Sequence, residues 1–129
     1  MTRLARIVIP GLPHHVTQRG NRRERVFFSE ADYQFYLDEL GLAARKAGSE
    51  IWAWCLMPNH VHLLIAPKDA DGLRLTVANA HRRYAGRLNA RNKCTGHLWQ
   101  GRYGSVVMDE AHLWRALAYV SLNPVRARL

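Results

Sequence analysis

Two histidines, His60 and His62, lie two residues apart in the run Met57-Pro58-Asn59-His60-Val61-His62-Leu63-Leu64. On a β-strand, side chains at i and i+2 leave the same face, so the two imidazoles project together while Val61 turns away. Neutral imidazoles at that spacing can share one metal ion. A pair is fewer ligands than such an ion takes, and two histidines on a wet sheet face have the same spacing. Further donors must come from elsewhere. Near the C-terminus, Tyr119 and Asn123 are four residues apart and share one face of a helix, with His112, seven before Tyr119, on that side too. A tyrosine hydroxyl beside a metal can attack a phosphodiester, and the amide oxygen of Asn123 can complete the metal shell. Tyr119 also fits as an amphipathic helix-edge residue, and Asn123, which precedes a proline, as a helix terminator. Tyr33, Tyr36 and Tyr84 fall on apolar stripes and read as packing. Tyr103, in Gln100-Gly101-Arg102-Tyr103, is the rival nucleophile, although no amide lies four residues beyond it.

The sign of the charge points to a class of partner. Nineteen Lys and Arg against ten Asp and Glu give a net charge of +9 and a pI near 10.4. Arginine dominates, and its planar fork suits phosphate oxygens. A polyanionic partner follows, with nucleic acid ahead of a membrane surface because no basic amphipathic anchor stands out. Arg19, Arg22, Arg23 and Arg25 crowd one loop and read as phosphate clamps. Arg83, Arg87 and Arg91 form an i, i+4, i+8 row that suits phosphates or a solvated face equally. Trp52, Trp54 and Trp99 could stack unpaired bases, but for Trp52 and Trp54 core packing is the preferred reading. The N-terminal residues have no signal-peptide core, and no run approaches a membrane span, so no membrane role and a cytoplasmic location are expected. Cys55 and Cys94 form no C-x-x-C, which removes a zinc ribbon or redox pair, and Cys55 reads as a small core residue.

A chain of 129 residues suits one domain, 1–129, with a core that needs no disulfides. His14 to Gln18 reads as a strand closed by the polar turn Arg19-Gly20-Asn21-Arg22-Arg23. Ser29 is an expected N-cap for a helix with Tyr33, Tyr36, Leu37, Leu40 and Ala44 on its apolar stripe, stopped by Gly48. Ile51–Met57 and His60–Ala66 read as a hairpin across Pro58-Asn59. A second helix carries Leu73, Val77, Ala80, Tyr84 and Leu88, a fourth strand spans Gly101–Met108, and Asp109 caps a last helix with Leu113, Ala116, Leu117 and Val120 inward. This βαββαβ order predicts an α+β, ferredoxin-like split βαβ fold: a four-stranded antiparallel sheet with helices on one face, plus a C-terminal helix carrying the tyrosine.

The histidine-bearing run resembles the HUH motif of single-tyrosine transposases, where U is a bulky apolar residue. Val16-Thr17-Gln18-Arg19-Gly20-Asn21-Arg22-Arg23, Gly96-His97-Leu98-Trp99-Gln100-Gly101-Arg102-Tyr103 and Tyr119-Val120-Ser121-Leu122-Asn123-Pro124-Val125-Arg126-Ala127 resemble segments of its REP-associated tyrosine transposase (RAYT) branch. The resemblance spans most of the chain in the family's order. It implies the same fold and Mg²⁺- or Mn²⁺-dependent cleavage and strand transfer of single-stranded DNA near palindromic hairpins. It further implies that His60 and His62 bind metal, Tyr119 is the nucleophile forming a 5′-phosphotyrosine, and Asn123 supports the metal. Asn21, Arg102 and Arg126, within these segments, join the loop arginines, Arg83 and Arg87 as expected nucleic-acid contacts. A homodimer is compatible with this reading, as is a monomer. Ser121 stands where relatives often have His and Gly104 where they often have Lys, differences that bear on DNA affinity and site choice more than on chemistry. The competing readings are a catalytically idle protein that holds hairpin DNA or RNA and a water-using phosphodiesterase.

Overall fold

The computed structural model describes residues 7–93 and 96–122, with the helical backbone alone for residues 119–122. Its first strand, β1 (His14–Arg19), ends at Gly20, and a tight 3₁₀ turn follows at Asn21–Arg23. Helix α1 (Glu30–Ala47) starts where Ser29 Oγ accepts from the amide of Asp32, and the Asp32 carboxylate reaches back to the amide of Phe28. The exchange satisfies amides that the first helical turn leaves without partners. Gly48, at φ 72°, takes the left-handed conformation that closes α1, as its type predicts.

Strands β2 (Glu50–Met57) and β3 (His60–Ala66) pair antiparallel across the two-residue turn Pro58-Asn59. A single turn of π-helix at Arg74–Ala78 leads into α2 (Asn79–Asn92), β4 spans Gly104–Val107, and α3 spans Glu110–Leu122. Asp109 Oδ1 accepts from the amide of His112 at 2.7 Å, the expected cap of α3. The sheet runs in the order β2-β3-β1-β4, and every adjacent pair is antiparallel. This is the ferredoxin-like arrangement.

Period-two alternation gives the sheet two different faces. Val16, Leu56, Val61, Leu63 and Ile65 point toward α1 and α2, where they meet Tyr36, Leu40, Val77, Ala80, Tyr84 and Leu88. Phe27 stacks on Tyr33 at 4.5 Å and meets Tyr36 edge-on, so an aromatic cluster fills this core. On the opposite face, Ala53, Cys55, Leu64 and Met108 form a smaller seat for Ala116, flanked by Met57, Leu113 and Leu117. Helix α3 therefore lies across the face that α1 and α2 leave uncovered. Its stripe at positions 113, 116 and 117 faces the sheet as the spacing required.

Two details differ from the sequence reading. The fourth strand is shorter than Gly101–Met108: a lone bridge joins Gly20 to Trp99, and regular pairing begins only at Gly104. Trp52 is 43% exposed and donates to Glu50, because a register shift between Ile51 and Ala53 turns it out of the core that Trp54 flanks. Among the described residues, no helix is long and apolar enough to cross a membrane.

Candidate active site

His60 and His62 leave β3 on the face that carries α3. Their ring centroids are 5.1 Å apart and the rings nearly perpendicular, at 81°. On neighbouring β1, Arg19 pairs in register with His60 and Thr17 with His62. His15, one diagonal step away, places Nε2 3.1 Å from Nδ1 of His62. From α3, the His112 ring meets His15 at 5.8 Å between centroids, at 76°. Four imidazoles from three elements thus meet on this face.

Electrostatics keep these rings in the form that binds cations. Burial, then the neighbouring His15 and His60, lowers the pKa of His62 to about 4. Burial lowers that of His60 as well, and burial followed by His112 lowers that of His15. The three rings are therefore neutral at neutral pH, with a lone pair on each. Among the described residues no group of three or more His, Cys, Asp or Glu could hold an ion. The pair fits a divalent cation only with oxygen donors added, from a side-chain amide, water or a substrate phosphate. Asn123, the expected amide, lies outside the described residues, as does Arg126.

An open cleft of about 650 Å³ runs beside the pair, lined by Thr17, Arg19, Arg23, Asn59, His60, His62, Gln100, Arg102 and Gly104 among others. Three of the expected DNA-binding arginines therefore border the histidines. Arg19 is steadied there by a bond from Nε to Gln100 Oε1. Asn21 and Arg22 lie in the adjoining 3₁₀ turn, where Asn21 donates its amide to Leu98. Arg25 sits lower in the loop, over the Phe28 ring and bonded to the Phe27 carbonyl.

The α2 arginines do not join the cleft, because α2 covers the other face of the sheet. Arg83 pairs with Glu39 at 2.8 Å, Arg87 lies over the Phe35 ring at 4.2 Å, and Arg91 pairs with buried Asp32 at 2.6 Å. These contacts tie α2 to α1. Tyr103 is buried in the aromatic core on that same far face. Tyr119 belongs to α3, seven residues beyond His112, or about 10 Å along the helix.

A model of the IS200-like transposases matches residues 9–123. The chain belongs to this family. The chain also has the fold of two solved structures. One is a REP-associated tyrosine transposase bound to a REP hairpin, with a TM-score of 0.68 and 22% identity over 98% of this chain and 74% of that one. The other is a Deinococcus radiodurans R1 protein assigned as a transposase, with a TM-score of 0.62 and 23% identity over 93% of this chain and 96% of that one. No curated protein matches. The resemblance drawn from the sequence motifs is thus borne out, and a DNA-processing role comes with the family.

The sequence singles out the histidine pair but gives no role to His15 or to the side chain of Asn59. The signal for His15 was available: a histidine of the same parity as Thr17, on a strand that pairs antiparallel with β3, must fall on the His62 face. Asn59 reads as an ordinary turn residue until its side-chain partners are seen.

Proposed function

We propose that this protein, acting as one domain over residues 1–129, cuts and rejoins single-stranded DNA beside hairpins through Tyr119. The observation that carries this reading is the convergence on one sheet face of the His60–His62 pair, the cleft arginines and the helix that bears Tyr119. A Mg²⁺ or Mn²⁺ ion held by His60, His62 and Asn123 would supply charge withdrawal at the scissile phosphate. Arg19, Arg23 and Arg102 grip flanking phosphates and hold the strand for in-line attack. The Tyr119 hydroxyl loses its proton and bonds to phosphorus, the P–O3′ bond breaks, and the leaving oxygen takes up a proton as a 3′-hydroxyl. The 5′-phosphotyrosine keeps the energy of the broken ester. A 3′-hydroxyl from another end can therefore displace the tyrosine without ATP.

The substrate follows from the open cleft: an unpaired strand enters without the cost of opening a duplex, while an adjoining hairpin offers paired phosphates to the loop arginines. The solved relative bound to a REP hairpin supports this substrate class. The test is incubation with Mn²⁺ and a REP-like hairpin carrying a single-stranded flank, followed by a denaturing gel. A covalent protein–DNA species that depends on the metal is expected. Hairpin binding with no nick and no adduct would reduce the protein to a binding module, and nicks without adduct would assign the attack to water.

A further inference from the structure

The two candidate metal ligands have their inner ring nitrogens engaged by different partners. At His60, Nδ1 lies 2.8 Å from Oδ1 of Asn59. The Asn59 amide cannot be turned over, because its Nδ2 donates to the Arg23 carbonyl at 3.2 Å, and a carbonyl only accepts. Its oxygen therefore faces His60 and also only accepts, so Nδ1 of His60 must carry the hydrogen. A neutral imidazole has one N–H, which leaves the lone pair on Nε2. The turn is itself fixed: Gly20 donates to the Asn59 carbonyl at 2.8 Å, and Val26 and Phe27 both donate to Pro58. At His62, Nδ1 meets Nε2 of His15 at 3.1 Å, and the His15 ring is wedged by His112.

We propose that Asn59 and His15 are positioning residues. Each accepts a hydrogen bond from Nδ1 of its histidine, so that both rings offer Nε2 to a divalent cation. This rests on the reading of His60 and His62 as metal ligands. The pattern obeys a general rule of imidazole sites, in which the nitrogen turned away from the ion donates to an acceptor that sets tautomer and ring angle. Asn59 does this from the turn and Arg23 locks it, which links the phosphate-gripping loop to the ligand geometry.

The test has two readouts. In the metal-free protein, long-range ¹H–¹⁵N NMR should show both His60 and His62 protonated on Nδ1, and Asn59→Ala should release His60 to a mixture of tautomers. In Mn²⁺ titrations followed by EPR, Asn59→Ala and His15→Phe should each weaken binding about 10- to 100-fold. Asn59→Asp, which keeps an acceptor beside His60, should restore most of the affinity. An Nε2–H tautomer at His60 in the wild type overturns the positioning role even if Mn²⁺ binds. Mn²⁺ affinity unchanged by His60→Ala overturns the ligand reading itself, whatever the tautomer. Wild-type affinity in Asn59→Ala and His15→Phe, with His60→Ala defective, overturns the positioning role alone.

Discussion

His15 of β1 and His112 of α3 meet edge to face, 5.8 Å apart, directly beside His62. This contact joins the helix that bears Tyr119 to the strand that borders the cleft. The seat beneath α3 is small, so its fit sets where the helix lies. Ala116, 6% exposed, packs in the cluster with Ala53, Cys55, Leu64 and Met108. Ala116→Leu should therefore overpack the seat, cost about 1–3 kcal/mol, and displace α3. Nicking should fall at least tenfold while hairpin affinity stays within about twofold, since the arginines sit on other elements. Equal losses of binding and nicking in gel-shift and cleavage assays would contradict this account.

Two tyrosine variants separate the candidate nucleophiles. Tyr119→Phe keeps the ring and removes the oxygen needed for a phosphotyrosine, so it should abolish the covalent adduct and leave hairpin affinity intact. Tyr103 is buried on the opposite face of the sheet, so Tyr103→Phe should retain the adduct at any cost in stability. Peptide mapping of the DNA-linked residue decides the matter. A modified peptide containing Tyr103 would refute the assignment.

Arginine substitutions should divide by face. Arg19→Ala, Arg23→Ala and Arg102→Ala remove phosphate contacts at the cleft, and each should weaken hairpin binding and lower the salt slope by about one. Arg83→Ala and Arg87→Ala, whose side chains serve Glu39 and Phe35, should leave the slope unchanged. The check is hairpin affinity measured across a salt series. A reduced slope in Arg83→Ala would place DNA on the helical face instead.

Acid should destabilise the fold through buried neutral histidines. Burial holds the pKa of His81 at about 3 in the folded protein, against 6.5 for an unburied ring, and its Nε2 faces the Tyr36 hydroxyl at 2.6 Å. As pH falls, the unfolded chain takes up the proton first. Stability is therefore full above about pH 6.5 and declines between 6.5 and 3, by at most about 1.4 kcal/mol per pH unit from this group. His81→Gln keeps an acceptor for Tyr36 but does not titrate. Urea unfolding at pH 7 and pH 5 should show a smaller loss in that variant, and identical losses would refute the role of His81.

Much of this architecture was legible because it rests on periodicity and punctuation. Leu73, Val77, Ala80, Tyr84 and Leu88 are all buried along α2 and the π turn that leads into it, and Ser29, Gly48 and Asp109 end their helices by the chemistry their types predict. The histidine pair was legible because parity along one strand is a local property. Relations between elements were less accessible. The arginine row on α2 suits phosphates or a solvated face equally in the sequence, and its contacts with Glu39, Phe35 and Asp32 on α1 have no local signature. Trp52 reads as core from the sequence, but a register shift between Ile51 and Ala53 reverses the alternation that a uniform strand would keep. The Arg23 carbonyl that holds the Asn59 side chain toward His60 lies in a loop more than thirty residues away in sequence, and no local pattern announces such a pairing.

The two unlike faces of the sheet separate the conditions for folding from those for chemistry. The aromatic cluster under α1 and α2 can form with every histidine of the other face replaced, because none of them belongs to it. A collection of random variants screened for soluble expression should therefore be depleted mainly on one side of the sheet. The same collection screened for DNA joining should be depleted on both. Positions lost only in the second screen would draw the outline of the active face without reference to any relative.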